Sequence, residues 1–133
     1  MSTADNILEH AIMRPFAVAA ASTATRGLCG VFTAEHTVRD ATAGENASVW
    51  FYETKAAGEF VQCVLLNSTA VVPMKASGTV TAGEYLEVGT DGVQNRTLGG
   101  GTTVRYIVGK AMQTGVDNDI VGVMTQCFAG VSS

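Results

Sequence analysis

The stretch Val71-Val72-Pro73-Met74-Lys75-Ala76-Ser77-Gly78-Thr79-Val80-Thr81-Ala82-Gly83-Glu84-Tyr85-Leu86-Glu87-Val88 decides the fold class. Two apolar runs flank a turn of small residues. Val and Thr dominate, and Gly interrupts at short intervals. β-branched side chains suit a pleated, half-buried surface, and Gly and Ser mark where the chain turns. This is the pattern of short β-hairpins. Pro73 cannot donate to a ladder, so its run belongs at a sheet edge or a bulge. Two more runs of the same kind follow, Val104 to Met112, broken at Gly109, and Ile120 to Phe128. The expected fold is all-β, a small β-barrel or β-sandwich.

Upstream, Val49, Trp50, Phe51 and Tyr52 stand in a row. Consecutive bulky β-formers predict a central strand with both faces covered. Successive strand residues alternate faces, so core packing on one side leaves the other for a subunit contact, assigned here to Trp50 and Tyr52. Phe60 to Leu66 is the partner strand, with Val61, Cys63 and Leu65 alternating against Gln62. Phe16 to Ser22 and Leu28 to Thr33 are two further strands, the second with a bulge at Gly30. Thr37 to Arg39 is a brief extended piece in a polar loop. Downstream, Tyr85 to Val88 and Val93 to Thr97 face each other across an Asp91-Gly92 turn. Gly99-Gly100-Gly101 predicts a mobile loop, because ordering glycine costs much backbone entropy. Ala129 to Ser133 reads as a loose tail. Thr42-Ala43-Gly44-Glu45 recurs as Thr81-Ala82-Gly83-Glu84, each ahead of a β-run with an aromatic residue.

Residues Met1 to Met13 form a separate unit. Ile7, Leu8 and Ile12 repeat at helical spacing, with Glu9 and His10 on the other side. A helix this short is marginal in water, so the segment is a short helix or an extended arm that docks on something. Pro15 ends it, since Arg14 before a proline favours extended geometry. The expected organisation is an arm over residues 1–15 and a single β domain over residues 16–133. The apolar stretch Phe16 to Ala21 is too short for an export signal and follows acidic Asp5 and Glu9, so it reads as mature chain.

At 133 residues the chain is long enough to build a core without staples. Charged residues make up 15%, below the ~25% usual in soluble domains, so the surface is bland. A net charge of -4 with no Lys/Arg run argues against nucleic-acid binding, which needs a clustered basic face. No run approaches the ~20 apolar residues of a spanning helix, so no membrane partner is expected. Cys29, Cys63 and Cys127 are far apart and form no CxxC pair, so no metal site is expected. Three buried reduced thiols are the plainer reading, with one disulfide plus a leftover thiol as the other arrangement.

Catalytic constellations are thin. His10 and His36 sit in no recognisable motif, and there is no Gly-x-Ser-x-Gly elbow. Glu84 and Glu87, three apart in a strand, point to opposite faces. Asp117-Asn118-Asp119 lacks the later glycine and glutamate of a calcium loop and reads as a turn. The glycines at 99–101 precede a strand, not the helix of a phosphate loop. The expectation is no enzyme, no cofactor and no catalytic residue. Pro73-Met74-Lys75-Ala76 is similar to biotinyl and lipoyl carrier domains, which present a modified lysine at a hairpin tip. The Glu-Ala before Met and the Met after Lys are missing here, and an ordinary strand-end lysine at 75 is the plainer reading.

From Val72 to Phe128 the chain resembles the capsid decoration, or cement, proteins of tailed bacteriophages. The residues that carry this are Val72-Pro73-Met74-Lys75-Ala76-Ser77-Gly78, Val80-Thr81-Ala82-Gly83-Glu84, the turn at Thr90-Asp91-Gly92, Val108-Gly109-Lys110-Ala111-Met112, and Ile120-Val121-Gly122-Val123-Met124 after an acidic turn. The likeness is one of style and order over the last half. It implies a compact β-barrel or β-sandwich subunit, often a homotrimer. Such a subunit binds the major capsid protein on the outer surface of the head and stabilises it, so its place is the virion after assembly in the host cytoplasm. The capsid-binding arm is assigned to Ile7, Leu8, Ile12, Met13, Arg14 and Phe16. Two other readings stay open: a carrier domain modified at Lys75, and a virion-surface β domain that binds the host.

Overall fold

The computed structural model describes residues 11–67, 70–98 and 103–131. The described residues form β-strands and no helix. The first half contributes β1 (Met13–Val18), β2 (Thr23–Ala24), β3 (Cys29–Ala34), β4 (Thr37–Asp40), β5 (Val49–Phe51), β6 (Lys55–Ala56) and β7 (Phe60–Leu65). The second half contributes β8 (Val71–Lys75), β9 (Tyr85–Gly89), β10 (Gly92–Asn95), β11 (Val104–Ala111) and β12 (Ile120–Val131).

β1, β4, β3, β5 and β7 close into a barrel in that order, and β2 pairs with β6 beside it. β1 runs antiparallel to β7 and parallel to β4, the one parallel pair of the barrel. Closure leaves no free edge in the ring. β5 lies between β3 and β7 with all its residues buried, as the aromatic row predicts of a central strand. Alternate residues fill the interior: Phe16, Val18, Val38, Val49, Phe51, Val61 and Cys63, with Ala24. The expected bulge at Gly30 is displaced. Gly30 pairs regularly with Asp40 and Val49, and the register shifts between Phe32 and Ala34 instead. Gly30 serves packing: a Cβ there would lie 2.2 Å from Cζ of Phe51, in space the ring already fills.

The second half forms a five-stranded sheet in the order β10-β9-β11-β12-β8. β8 sits at the edge, where Pro73 confines it. β9 and β10 make the expected hairpin, with Gly89 opposite Gly92. β11 and β12 pair antiparallel, with the break at Gly109 appearing as a shift between Ile107 and Gly109. The stretch Val71 to Val88 is not itself a hairpin: β8 pairs with β12, while β9 pairs with β10 and β11. The connection between them carries Val80, which exchanges both backbone bonds with Gly115 at 2.9 Å. The chain therefore crosses the end of the sheet. Ala129 to Val131 is not a loose tail either, since it pairs with Tyr106, Arg105 and Val104. The glycine run at 99–101 lies outside the described residues.

The sheet curls until Ala76 bridges Val93, where the Ser77 amide donates to the Val93 carbonyl at 2.7 Å. Its concave side holds Val72, Met74, Leu86, Val88, Val108, Val121 and their neighbours. Cys29, Ala47, Trp50, Val64 and Leu66 join that same cluster from the first half. The outward face of β3, β5 and β7 thus fills the mouth of the second sheet. Backbone ties reinforce the seam, with Gly44 N donating to Val88 O at 3.0 Å and Lys75 N to Gly27 O at 3.3 Å.

The repeated turn has a third copy, Ala56-Ala57-Gly58-Glu59. Gly44, Gly58 and Gly83 all have φ near +80 (81, 82 and 85). In each, the Glu amide donates to the carbonyl of the turn's first residue, at 3.1, 3.1 and 3.0 Å. Only glycine adopts that conformation without strain, which makes Ala-Gly-Glu the constant part.

Candidate functional site

Most of the exposed large apolar side chains among the described residues lie on two faces, one on the barrel and one on the second sheet. The first is the barrel wall made by β1 and β7. Met13, Pro15 and Ala17 pair with Val64, Gln62 and Phe60. Inward Phe16 and Val18 alternate with them. Because Val61 and Cys63 point in, Phe60 and Gln62 must point out, and Phe60 is 68% exposed. Ile12 stands out beside them, 53% exposed, while its carbonyl accepts from Leu65 N at 3.0 Å. Tyr52 adds a 47% exposed ring, and its amide donates to the Gln62 carbonyl at 3.0 Å.

The residues assigned from sequence divide on this geometry. Ile12, Met13 and Arg14 are exposed, but Met13–Pro15 belong to β1 of the barrel and not to a segment apart from it. Phe16 is a core residue, edge-to-face with Phe32 at 5.0 Å. Trp50 is 3% exposed. The side that β5 turns from the barrel interior is covered by the chain's own second sheet, which accounts for the burial of Trp50. Tyr52 is the outward member of that pair. Ile7 and Leu8 lie outside the described residues. Phe60 was missed as a site residue, although its alternation with Val61 and Cys63 carried the signal.

The second face is the convex side of the sheet. One row across the strands holds Tyr85, Lys110, Met124 and Val71 in register. Lys110 Nζ lies 5.5 Å from the Tyr85 ring centroid and Arg96 Cζ 5.7 Å from it. Phe128 meets the same ring edge-on at 5.2 Å. Met112, Met124 and Phe128 are exposed. Here too period-two alternation held the signal: core-facing Leu86 and Val88 turn Tyr85 outward. Nearby Glu87 is buried and accepts from Gln94 Nε2 at 3.1 Å, Thr97 N at 2.9 Å and Thr97 Oγ at 3.1 Å, with Arg105 Nη1 at 3.9 Å.

Between the two regions lies a cleft of about 440 Å³ lined by Phe32, Ser48, Leu65, Asn67, Tyr106, Cys127 and Phe128. Its thiol is a poor nucleophile, because burial pushes Cys127 up to about 11. Burial likewise pushes Cys63 up to about 12 and Cys29 up further, and all three thiols are free. His36 is on an exposed turn against Glu35. Asp119 accepts from Val116 N within its turn, and Asp117 accepts from Gly78 N of another loop. Lys75 ends β8, paired with Ile120, and its Nζ meets Asp91 Oδ2 at 2.6 Å, whereas a carrier lysine stands at a hairpin tip. Among the described residues no helix is long and apolar enough to cross a membrane. Compared with family models, curated proteins and solved structures, the chain matches none.

Proposed function

We propose that this chain is a decoration protein of a tailed-bacteriophage head. It binds the major capsid protein on the outer surface of the shell as an oligomer, a homotrimer by the resemblance over Val72 to Phe128, and stabilises the head by contact alone. The observation that carries the reading is the barrel wall of Met13, Pro15 and Phe60 beside Ile12 and Tyr52. An aromatic ring this open, continuous with other apolar side chains, marks a contact surface. Such a wall spreads apolar area over a partner and needs no reacting group. Symmetric copies on a shell then add weak contacts by multivalency.

The test is co-sedimentation of the purified full chain with heads stripped of decoration. The expected result is saturable binding and heads that resist heat better. Phe60→Asp should lower occupancy at least tenfold while the barrel stays folded, since the side chain is 68% exposed. A wild-type chain that stays in the supernatant would end the reading, and Phe60→Asp binding at wild-type level would remove the wall from it.

A further inference from the structure

We propose that the convex face of the second sheet receives the N-terminal segment, residues 1–10, of a second copy of this chain. The proposal adds the tie between subunits to the oligomer proposed above, and it stands or falls without the shell.

The charge on that face asks for a partner. The chain is acidic overall, with a net charge of -4, yet two cations crowd one ring. Among the described residues, the ion pairs engage His36, Arg39, Lys75 and Arg105, and neither Arg96 nor Lys110. Arg96 Nε is shielded from solvent and has no hydrogen-bond partner among the described residues. Of the nearby carboxylates, Glu87 is already held by Gln94 and Thr97, and Glu84 next to Tyr85 is exposed. A guanidinium and an ammonium at one aromatic ring, next to exposed Met124 and Phe128, form a site for an apolar segment flanked by carboxylates.

The first ten residues have that composition. Asp5 and Glu9 bracket Ile7 and Leu8. In an extended chain at ~3.3 Å per residue the segment spans about 33 Å, enough to leave one molecule and cover the row on another. Its root is fixed: Ala11 packs against the shared core, and Ile12 O holds Leu65 N at 3.0 Å. A docked segment therefore ties its own barrel to its neighbour's sheet. The contact is heterologous, so successive copies close into a ring when the rotation allows it.

The test uses the full chain and light scattering coupled to size exclusion, with far-UV circular dichroism as the check of folding. The wild type should run at a multiple of its 13.8 kDa chain mass. Asp5→Lys with Glu9→Lys should drop it to the monomer, and so should Arg96→Glu with Lys110→Glu. Combining all four reversals should restore the multiple. Excess peptide of residues 1–12 should dissociate the wild type, and a scrambled peptide should not. A monomeric wild type, either pair of reversals leaving the mass unchanged, or a quadruple variant that stays monomeric would each overturn the proposal. Heads that fail to bind a chain whose mass behaves as described would count against the decoration reading alone.

Discussion

The barrel and the second sheet solve the same problem in different ways. The barrel closes its ladder completely and fills it with two phenylalanines and small aliphatics from its own strands. The second sheet has longer strands but closes only where Ala76 bridges Val93. It leaves a mouth that Trp50, Cys29 and Val64 of the barrel must fill. Phe51 and Trp50 are neighbours in sequence yet belong to different cores. One region has an interior of its own; the other borrows part of its interior. The second sheet cannot lose the barrel without exposing its apolar lining to water.

That dependence is tested by emptying the barrel. Phe51→Ala removes the largest fully buried side chain of the barrel interior and should cost about 3–5 kcal/mol. Trp50 is the single tryptophan, so its fluorescence reports on the seam. In urea, fluorescence and far-UV circular dichroism should move together to a lower midpoint. If circular dichroism instead shows a β signal persisting after the Trp50 signal has changed, the second sheet stands alone and the contrast is wrong.

Much of this was legible in the residues, within a physical limit. Alternation placed Val61 and Cys63 against Gln62, Pro73 placed β8 at an edge, and the row at 49–52 marked a buried strand. Each of those signals is local. Which sheet an outward face meets is not local, so Trp50 read as a subunit contact when it fills the chain's own second sheet. The same limit hid the crossing between β8 and β9, which Val80 and Gly115 fix across a long separation. Ala129 to Ser133 read as a tail because small residues carry no pattern, yet the strand pairs them as far as Val131. The rings of Phe60 and Tyr85 were readable as outward, but only the paired strands show which neighbours make each one a surface.

Polar burial separates the two regions next. The barrel's buried cluster is apolar, while the sheet holds Glu87 among Gln94, Thr97 and Arg105. Glu87→Ala leaves those donors without their acceptor and should cost about 1–3 kcal/mol, with the urea slope unchanged. Glu87→Gln keeps an acceptor and should cost less. Equal stability of Glu87→Ala and wild type would mean that the cluster adds nothing to the sheet.

The smallest effect concerns the tie across the seam. The Glu45 turn presents the Gly44 amide to Val88 of the second sheet. Glu45 accepts from Arg39 Nη1 and Nη2 at 2.8 and 2.7 Å and from Thr42 N at 2.6 Å. Those bonds, the Arg39 pair first, hold its carboxyl down to about 2. A carboxyl lowered on folding stabilises the native state above its unfolded value of about 4.3, and that stability is lost as pH falls toward about 2. Both side chains are about 30% exposed (32% and 30%), so solvent screening keeps the effect small. Glu45→Gln should therefore lower the urea midpoint slightly near neutral pH and shrink the further loss on acidification through that window. A variant that keeps the full wild-type acid dependence would show that this turn is not the acid-labile tie, leaving apolar contact around Trp50 to join barrel and sheet.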